Sequence, residues 1–452
     1  GAGRAMAEWI IDGAPELNLW ALDVRRFSFH HNTRHFMYSR AEEIYGKHYK
    51  LRMPGDEHET VRNIRHSPLY DKLRANGAVY GSRAGWERPN WFAKEGDEAK
   101  DKPHFERSES NFFRRVGEEH HAVRESVALI DQSSFSKFEV IGCDALKTLQ
   151  ALAAADIDKP IGSTMYTQLC NEKGGIECDL TINRLGENHF YIVTGSAFGT
   201  HDRHWIESHT PAGAQVHVVD MTSSRSVVNL CGPFARKVLE KVVEEDVSNL
   251  AFPFSTCRRL TLGAAPVIAV RIGYVGELGW ELHVPTEFTC HVYDVLRKAG
   301  EEFGIRDVGY RAIESLRLEK RYLYWSTDIT PDDTPYEAGL GFRVHLQKEN
   351  FLGRAALAKQ KEQGVGKKLC TFLLDKPLSL YGGEAILHDG KMVSVTTSGG
   401  YGYTVGISIA FAYLPTELTK ATEFEVEAFG ERTKATMNFT APYDPKSERL
   451  KC

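Results

Sequence analysis

Carboxylates set among strands and glycines are the residues of this chain best placed to do chemistry. Asp179 lies inside the apolar run from Ile176 to Ile182, where alternation puts it on one face with Thr181 and leaves Leu180 and Ile182 on the other. A carboxylate drawn partly out of water tends toward a raised pKa and can act as acid, base or ligand anchor. The plainer alternative is an exposed carboxylate on the wet face of a half-buried strand. A second set stands in Arg271-Ile-Gly-Tyr-Val-Gly-Glu-Leu-Gly-Trp-Glu-Leu-His-Val284, whose glycines are Gly273, Gly276 and Gly279. A turn there lets Tyr274, Glu277 and Glu281 project near one another, with Glu277 at the tip. An ordinary hairpin with a solvated acidic rim is the alternative. His120 and His121 read as a solvated helix position, because adjacent helix residues do not face each other. The chain has no Gly-x-Ser-x-Gly, P-loop, His-Glu-x-x-His or EF-hand.

The elements that must hold these residues alternate in type. Strands are predicted at 137–141, 191–194, 216–220, 226–230, 266–272 and 280–284, with a hairpin over 165–184 turning at 171–175. Helices are predicted at 116–130, 144–153, 200–209, 233–243, 286–303, 310–320 and 351–363. Hairpins among the helices argue for a mixed, α+β class rather than a doubly wound sheet. After a glycine-rich linker at 364–368, short strands at 369–374, 384–388, 391–398, 408–413 and 423–428 have the pattern of a small β-sandwich or barrel. Residues 1–13 are helical through Met6, Trp9 and Ile10, and 14–110 read as an irregular connecting region with short helices such as 40–49. Three units follow: 1–110, 111–363 and 364–452.

At 452 residues the chain holds two or three cores. A net charge of −5 gives no reason to expect nucleic acid or an acidic membrane as partner, and no apolar run reaches the length of a membrane span. Eight scattered cysteines without a Cys-x-x-Cys indicate neither a metal site nor a disulfide framework, which fits cytosol or mitochondrial matrix. The opening glycines fail as a dinucleotide fingerprint: no strand precedes them, and Met6 stands where the third glycine belongs. With Gly1 first and Met6 the first methionine, the chain reads as a processed product, a partial reading frame or a piece of something longer.

Four stretches then occur in order: Lys173-Gly-Gly-Ile-Glu-Cys-Asp-Leu180, the run at 271–284, Ser315-Leu-Arg-Leu-Glu-Lys320 and Thr334-Pro-Tyr-Glu-Ala-Gly-Leu340. Together with Thr396-Thr-Ser-Gly399 and Ala410-Phe-Ala-Tyr-Leu-Pro415, they resemble the aminomethyltransferase, or glycine-cleavage T-protein, fold with its C-terminal β-barrel. The resemblance covers about 111–445. Further forward, residues 1–13, Asp23-Val-Arg-Arg-Phe27 and 85–92 resemble the end of an FAD-dependent amine oxidoreductase domain joined to a folate domain, as in the sarcosine and dimethylglycine dehydrogenases. Three further stretches, at 309–314, 330–335 and 442–445, lean toward the sarcosine branch.

What the resemblance implies is tetrahydrofolate-dependent one-carbon transfer coupled to oxidative demethylation of an N-methyl amine. FAD would come only with the missing domain or a partner chain. By the same resemblance Asp179 is the catalytic carboxylate, Tyr274 and Glu281 are pterin-site residues, and Tyr413 is a folate contact from the barrel. A carboxylate suits the paired donors of a pterin edge, and an aspartate near N10 can stabilise positive charge developing there. The family's arginine for the folate glutamate tail falls at Ile313, so Arg311 becomes the substitute. Two other activities remain open: methyl transfer from a sulfonium or quaternary amine on the same fold, and a non-catalytic folate-binding subunit of a flavoprotein. The expected ordering of the two glutamates is tested by ligand affinity: Glu281→Gln weakens tetrahydrofolate binding tenfold or more, on the order of a lost charge-assisted hydrogen bond, and Glu277→Gln does not.

Overall fold

β-Branched and aromatic runs pair here into sheets, and the order of pairing decides which side chains meet. The computed structural model describes residues 1–13, 15–51 and 55–452. One antiparallel sheet runs β5 (Thr164–Cys170), β6 (Ile176–Gly186), β7 (His189–Thr194), β4 (Ser136–Ile141) and β8 (His217–Asp220). A second runs β10 (Cys257–Leu262), β11 (Ala265–Val270), β12 (Gly279–Pro285), β9 (Arg225–Cys231), β3 (Ala128–Asp131) and β13 (Arg306–Asp307). All its pairs are antiparallel except β3 with β13. The class is α+β as expected. Each sheet is apolar on its outer face, where helices cover it. Leu180, Ile182 and Ile192 pack with Leu149 and Ile206, and Leu230, Trp280 and Leu282 pack with Val238 and Leu296. Each such side chain contributes roughly 1.5–3 kcal/mol by burial.

The C-terminal region closes into a six-stranded barrel: β14 (Lys367–Leu374), β17 (Ile407–Pro415), β16 (Lys391–Gly402), β15 (Ala385–His388), β18 (Phe424–Ala428) and β19 (Glu431–Asn438). Phe372, Leu414 and Val426 fill it.

Several elements differ from the reading of the sequence. The helix predicted over 116–130 is Phe113–Glu125, and Ala128–Asp131 is strand β3. Ser126 breaks the helix at φ −134° and ψ −121°, and the buried residues after it pair with β9. The connecting region at 14–110 holds a hairpin, β1 (Ala78–Arg83) and β2 (Trp86–Phe92), not only short helices. Its two-residue turn places Ala84 at φ 50° and Gly85 at φ 76°, matching the twist of a tight hairpin with alanine where asparagine is usual. Pro89 sits beside the register shift in this ribbon, which is where a strand tolerates proline. Strands β10 and β19 escaped notice because their arginines, lysines and glutamates face solvent.

The glycine run is not a solvated turn. Gly276 takes φ +83°, and a side chain there would meet Lys320, while one on Gly279 would strike the Leu230 carbonyl at 2.6 Å. Glu277 is 1% exposed. It accepts from Arg124 at 3.2 Å, from the Tyr443 hydroxyl at 2.8 Å and from Arg449 at 2.8 Å. Arg124 also donates to Glu319 at 3.0 Å and to the Val275 carbonyl at 2.6 Å. This buried network fastens the loop, the helix Tyr310–Glu319 and the C-terminal segment to the helix Phe113–Glu125. Removing one partner strands the others in low dielectric, so Glu277→Ala should cost about 3 kcal/mol of stability. Urea unfolding measures it; a loss below about 1 kcal/mol, the scale of an exposed pair, would show that the network does not hold the tail.

Candidate functional site

Alternation turns the polar faces of the two sheets toward each other. On β6 the inward positions are Glu177, Asp179, Thr181 and Asn183, and on β12 they are Glu281 and His283. A buried hydrogen bond of 3.0 Å joins Tyr191 of β7 to Nδ1 of His283, so the two faces meet in a polar layer.

At one level of this layer Glu281 lies buried, opposite Asn229 on β9 and Val270 on β11. The Nε2 of His283 is 3.6 Å from the Glu281 carboxylate, too far for a hydrogen bond. Burial lowers the His283 pKa, so the imidazole is neutral at pH 7. Asn229 donates to Gln132 at 3.1 Å. Yet Asn229 Oδ1, Gln132 Nε2 and His283 Nε2 are buried without a hydrogen-bond partner among the described residues. Buried polar atoms are rarely left so, and three near one carboxylate form a donor and acceptor set of the kind that suits a flat polar ligand. Nearby, on the facing sheet, burial pushes the Lys137 amine down to about 7, and it donates to the Ser133 carbonyl at 2.8 Å.

Further along the layer stands Asp179, half-buried and paired in register with Gln168 of β5. Gln168 donates to it at 2.8 Å and keeps its own Oε1 buried and unpartnered. Burial raises the Asp179 pKa to about 6; hydrogen bonds from Tyr166 and Gln168 act against this, and the Asp202 charge adds to it. Tyr274 is close enough to feel the same carboxylate. Its hydroxyl donates to the Leu323 carbonyl at 2.6 Å, and its ring stacks on Tyr322.

Behind Asp179, the atoms of Cys178, His201 and Asp202 that could bind a metal lie within 4.8 Å of one another. Hydrogen bonds occupy them: Thr194 donates to Asp202 at 2.6 Å, and His201 Nδ1 lies 3.0 Å from Asp202. Burial opposes charge on His201, but Asp202 and Glu177 outweigh it and hold the pKa up to about 9. Trp20, from the N-terminal segment, sets its ring edge-on to His201 and Trp325.

Tyr413 and Arg311 stand elsewhere. The Tyr413 hydroxyl donates at 3.0 Å to the carbonyl of Asp328, whose side chain binds Arg317 at 2.7 Å. Arg311 donates to Asp101 at 2.7 Å through one Nη and lies over Phe112, so an anion would share its guanidinium with Asp101. Sequence reasoning missed Gln132, Lys137, Gln168, Asn229 and His283. Only His283, two positions from Glu281 in an alternating strand, carried a usable signal.

Residues 69–348 match the family model described as GCVT N-terminal domain, and 367–444 match the glycine cleavage T-protein C-terminal barrel domain. Residues 12–67 match the FAD dependent oxidoreductase central domain. Human mitochondrial sarcosine dehydrogenase is 34% identical over all of this chain and 54% of its own length. Human mitochondrial dimethylglycine dehydrogenase is 36% identical over 97% of the chain and 50% of its own length. The chain therefore spans about half the length of these relatives. The crystal structure of glycine cleavage system aminomethyltransferase T from Bartonella henselae matches with a TM-score of 0.72 and 25% identity, over 85% of this chain and 99% of that one.

The raised pKa of Asp179 has a measurable consequence for folding. Between its unfolded value near 3.8 and its folded value of about 6, the native state keeps a proton that the unfolded chain has lost. Its contribution to stability is full below the lower value and gone above the upper one. Asp179→Asn should therefore flatten the fall in unfolding free energy from pH 4 to pH 6, read by urea titration; an unchanged slope would place the shift elsewhere.

Proposed function

Because the chain belongs to the glycine-cleavage T-protein family, we propose that it binds tetrahydrofolate between its facing sheets. There it forms 5,10-methylene-tetrahydrofolate from the one-carbon unit released by oxidation of an N-methyl amine such as sarcosine or dimethylglycine. The observation that carries this reading is the set of unpartnered buried atoms on Asn229, Gln132 and His283 around Glu281, in the same layer as Asp179. The fit is chemical: a pterin offers paired N–H donors to a carboxylate and further acceptors and donors at its edge.

When bound, tetrahydrofolate supplies two nitrogens able to take up a carbon at the oxidation level of formaldehyde. The protein's part is to hold and polarise. Glu281 accepts the pterin donors, while Asn229, Gln132 and His283 complete the edge. Tyr274 closes the layer beside Asp179, and Tyr413 supports it from the barrel through the Asp328 loop. Asp179 is an anion at pH 7 because its pKa is about 6, and as an anion it can orient an N–H and stabilise adjacent positive charge.

The oxidative half of the reaction is assigned to an FAD-containing domain or partner chain. Support comes from the oxidoreductase match at 12–67 and from apolar side chains left in water on the N-terminal segment, among them Ile10 and Ile11, at 79% and 78% exposure. Such side chains are ordinarily covered.

The test uses the chain itself with tetrahydrofolate and formaldehyde, above the uncatalysed background. Asp179→Asn should lower the catalysed rate of methylene-tetrahydrofolate formation about 100-fold, the scale of losing one electrostatic stabiliser, with affinity changed less than about threefold. The wild-type rate should reach half its plateau near pH 6, rising toward neutrality as Asp179 ionises. Turnover unaffected by the substitution would remove Asp179 from the mechanism. Methyl-tetrahydrofolate made from a quaternary amine would instead assign methyl transfer.

A further inference from the structure

Two arginines of the β1–β2 ribbon lack the partners their burial calls for. Register pairs Arg83 with Trp86 and Gly81 with Arg88, which puts Arg83 and Arg88 on one face of the ribbon. Both are half-buried. Among the described residues, neither has a carboxylate within ion-pair distance, and the Nε of each is buried without an acceptor. The opposite face shows the usual arrangement: Glu87, opposite Ser82, accepts from Arg62 at 2.9 Å. A guanidinium partly withdrawn from water without an anion is costly, so a bound anion would be favoured beside the pair.

Their position says where that anion would come from. The Arg88 guanidinium lies 3.7 Å over the ring of Tyr310, and Arg83 donates to the Tyr324 hydroxyl at 2.9 Å. The Tyr310 hydroxyl is 3.4 Å from Ser134, which bonds Ser196 at 2.8 Å. Ser134 follows strand β3 of one sheet and Ser196 follows β7 of the other, so the arginines stand where the loops of the two facing sheets meet. Gln132, of the unpartnered set around Glu281, lies two residues before Ser134 on the same loop. A ligand whose ring sits among Glu281, Asn229 and Gln132 and which extends along the layer past Asp179 emerges at this rim.

We propose that Arg88, supported by Arg83, binds the carboxylates of the folate's glutamyl tail. The inference rests on the folate reading above. The chemistry is the bidentate match of a planar guanidinium fork to a carboxylate, with Tyr310 holding the fork from beneath. The hairpin thereby acts as part of the ligand site rather than as a connector. The other carboxylate source at such a rim is an N-methyl amino acid, and the binding experiment separates the two.

Dissociation constants are measured by calorimetry for 5-formyl-tetrahydrofolate and for 5-formyl-tetrahydropteroate, which lacks the glutamate. The wild-type chain should hold the glutamate-bearing ligand at least tenfold tighter, with the advantage shrinking as salt rises. Arg88→Gln and the double variant Arg83→Gln/Arg88→Gln should erase that advantage while leaving pteroate affinity within about twofold, and Arg88→Lys should keep part of it. Equal wild-type affinity for both ligands overturns the proposal while leaving the folate reading intact, and it needs no variant to fold. Parallel loss of both ligands in Arg88→Gln overturns it as well, since the residue would then be structural. Displacement of the tail-bearing ligand by sarcosine in the wild-type chain overturns it in favour of an amine-substrate subsite. Binding of neither ligand overturns both the tail site and the folate reading.

Discussion

Two sheets that face each other across a layer where hydrogen-bonding side chains stand among buried apolar ones such as Val227, Val270 and Ile130 are the constraint on which this structure depends. An apolar interface would be stable alone and would close. A polar one must satisfy each buried donor and acceptor, and here the Tyr191–His283 bond and the Asn229–Gln132 bond do so only in part. The remainder, gathered around Glu281 and beside Asp179, is what makes this layer the candidate site. The stability that tolerates such a layer comes from the outer faces, where both sheets bury leucine, isoleucine and tryptophan under helices.

Elements distant in sequence hold the edges of the layer. Arg124 reaches Glu277, Glu319 and the Val275 carbonyl, and Arg449 arrives at Glu277 from the C-terminal end. The loop that carries Tyr274 is therefore fixed from behind. Asp328 does the same on the barrel side by joining Arg317, Thr397 and the Tyr324 backbone. The N-terminal region takes part too: Trp20 packs on His201 behind Asp179, and the β1–β2 ribbon brings its arginines to the rim.

These contacts change the roles of two acidic residues. Glu277 looks from spacing like the reachable ligand at a turn tip, yet it is among the most buried charges in the chain and serves cohesion. The Glu281 carboxylate, inside a strand, has no hydrogen bond among the described residues and faces the layer. For Asp179 the half-buried setting expected from alternation is present, and the neighbouring Asp202 adds to the effect of burial.

Strand alternation around Asp179, the hairpin at 165–184, the turn glycines and the β-rich C-terminal unit are legible in the sequence because they are local. Periodicity and turn chemistry act over a few residues and leave a pattern. The family resemblance is legible for the same reason, since its motifs are contiguous. The hairpin at 78–92 was hidden by an alanine in its turn and a proline in its second strand, both acceptable only in their exact backbone setting. Which polar atoms go unpartnered, that Glu277 pairs with Arg124 and Arg449, that Arg311 is held by Asp101 and that Arg88 is not held by any acid among the described residues were decided by tertiary structure. Each depends on the meeting of segments up to 325 residues apart, as with Arg449 and Arg124, and no local pattern encodes such a meeting.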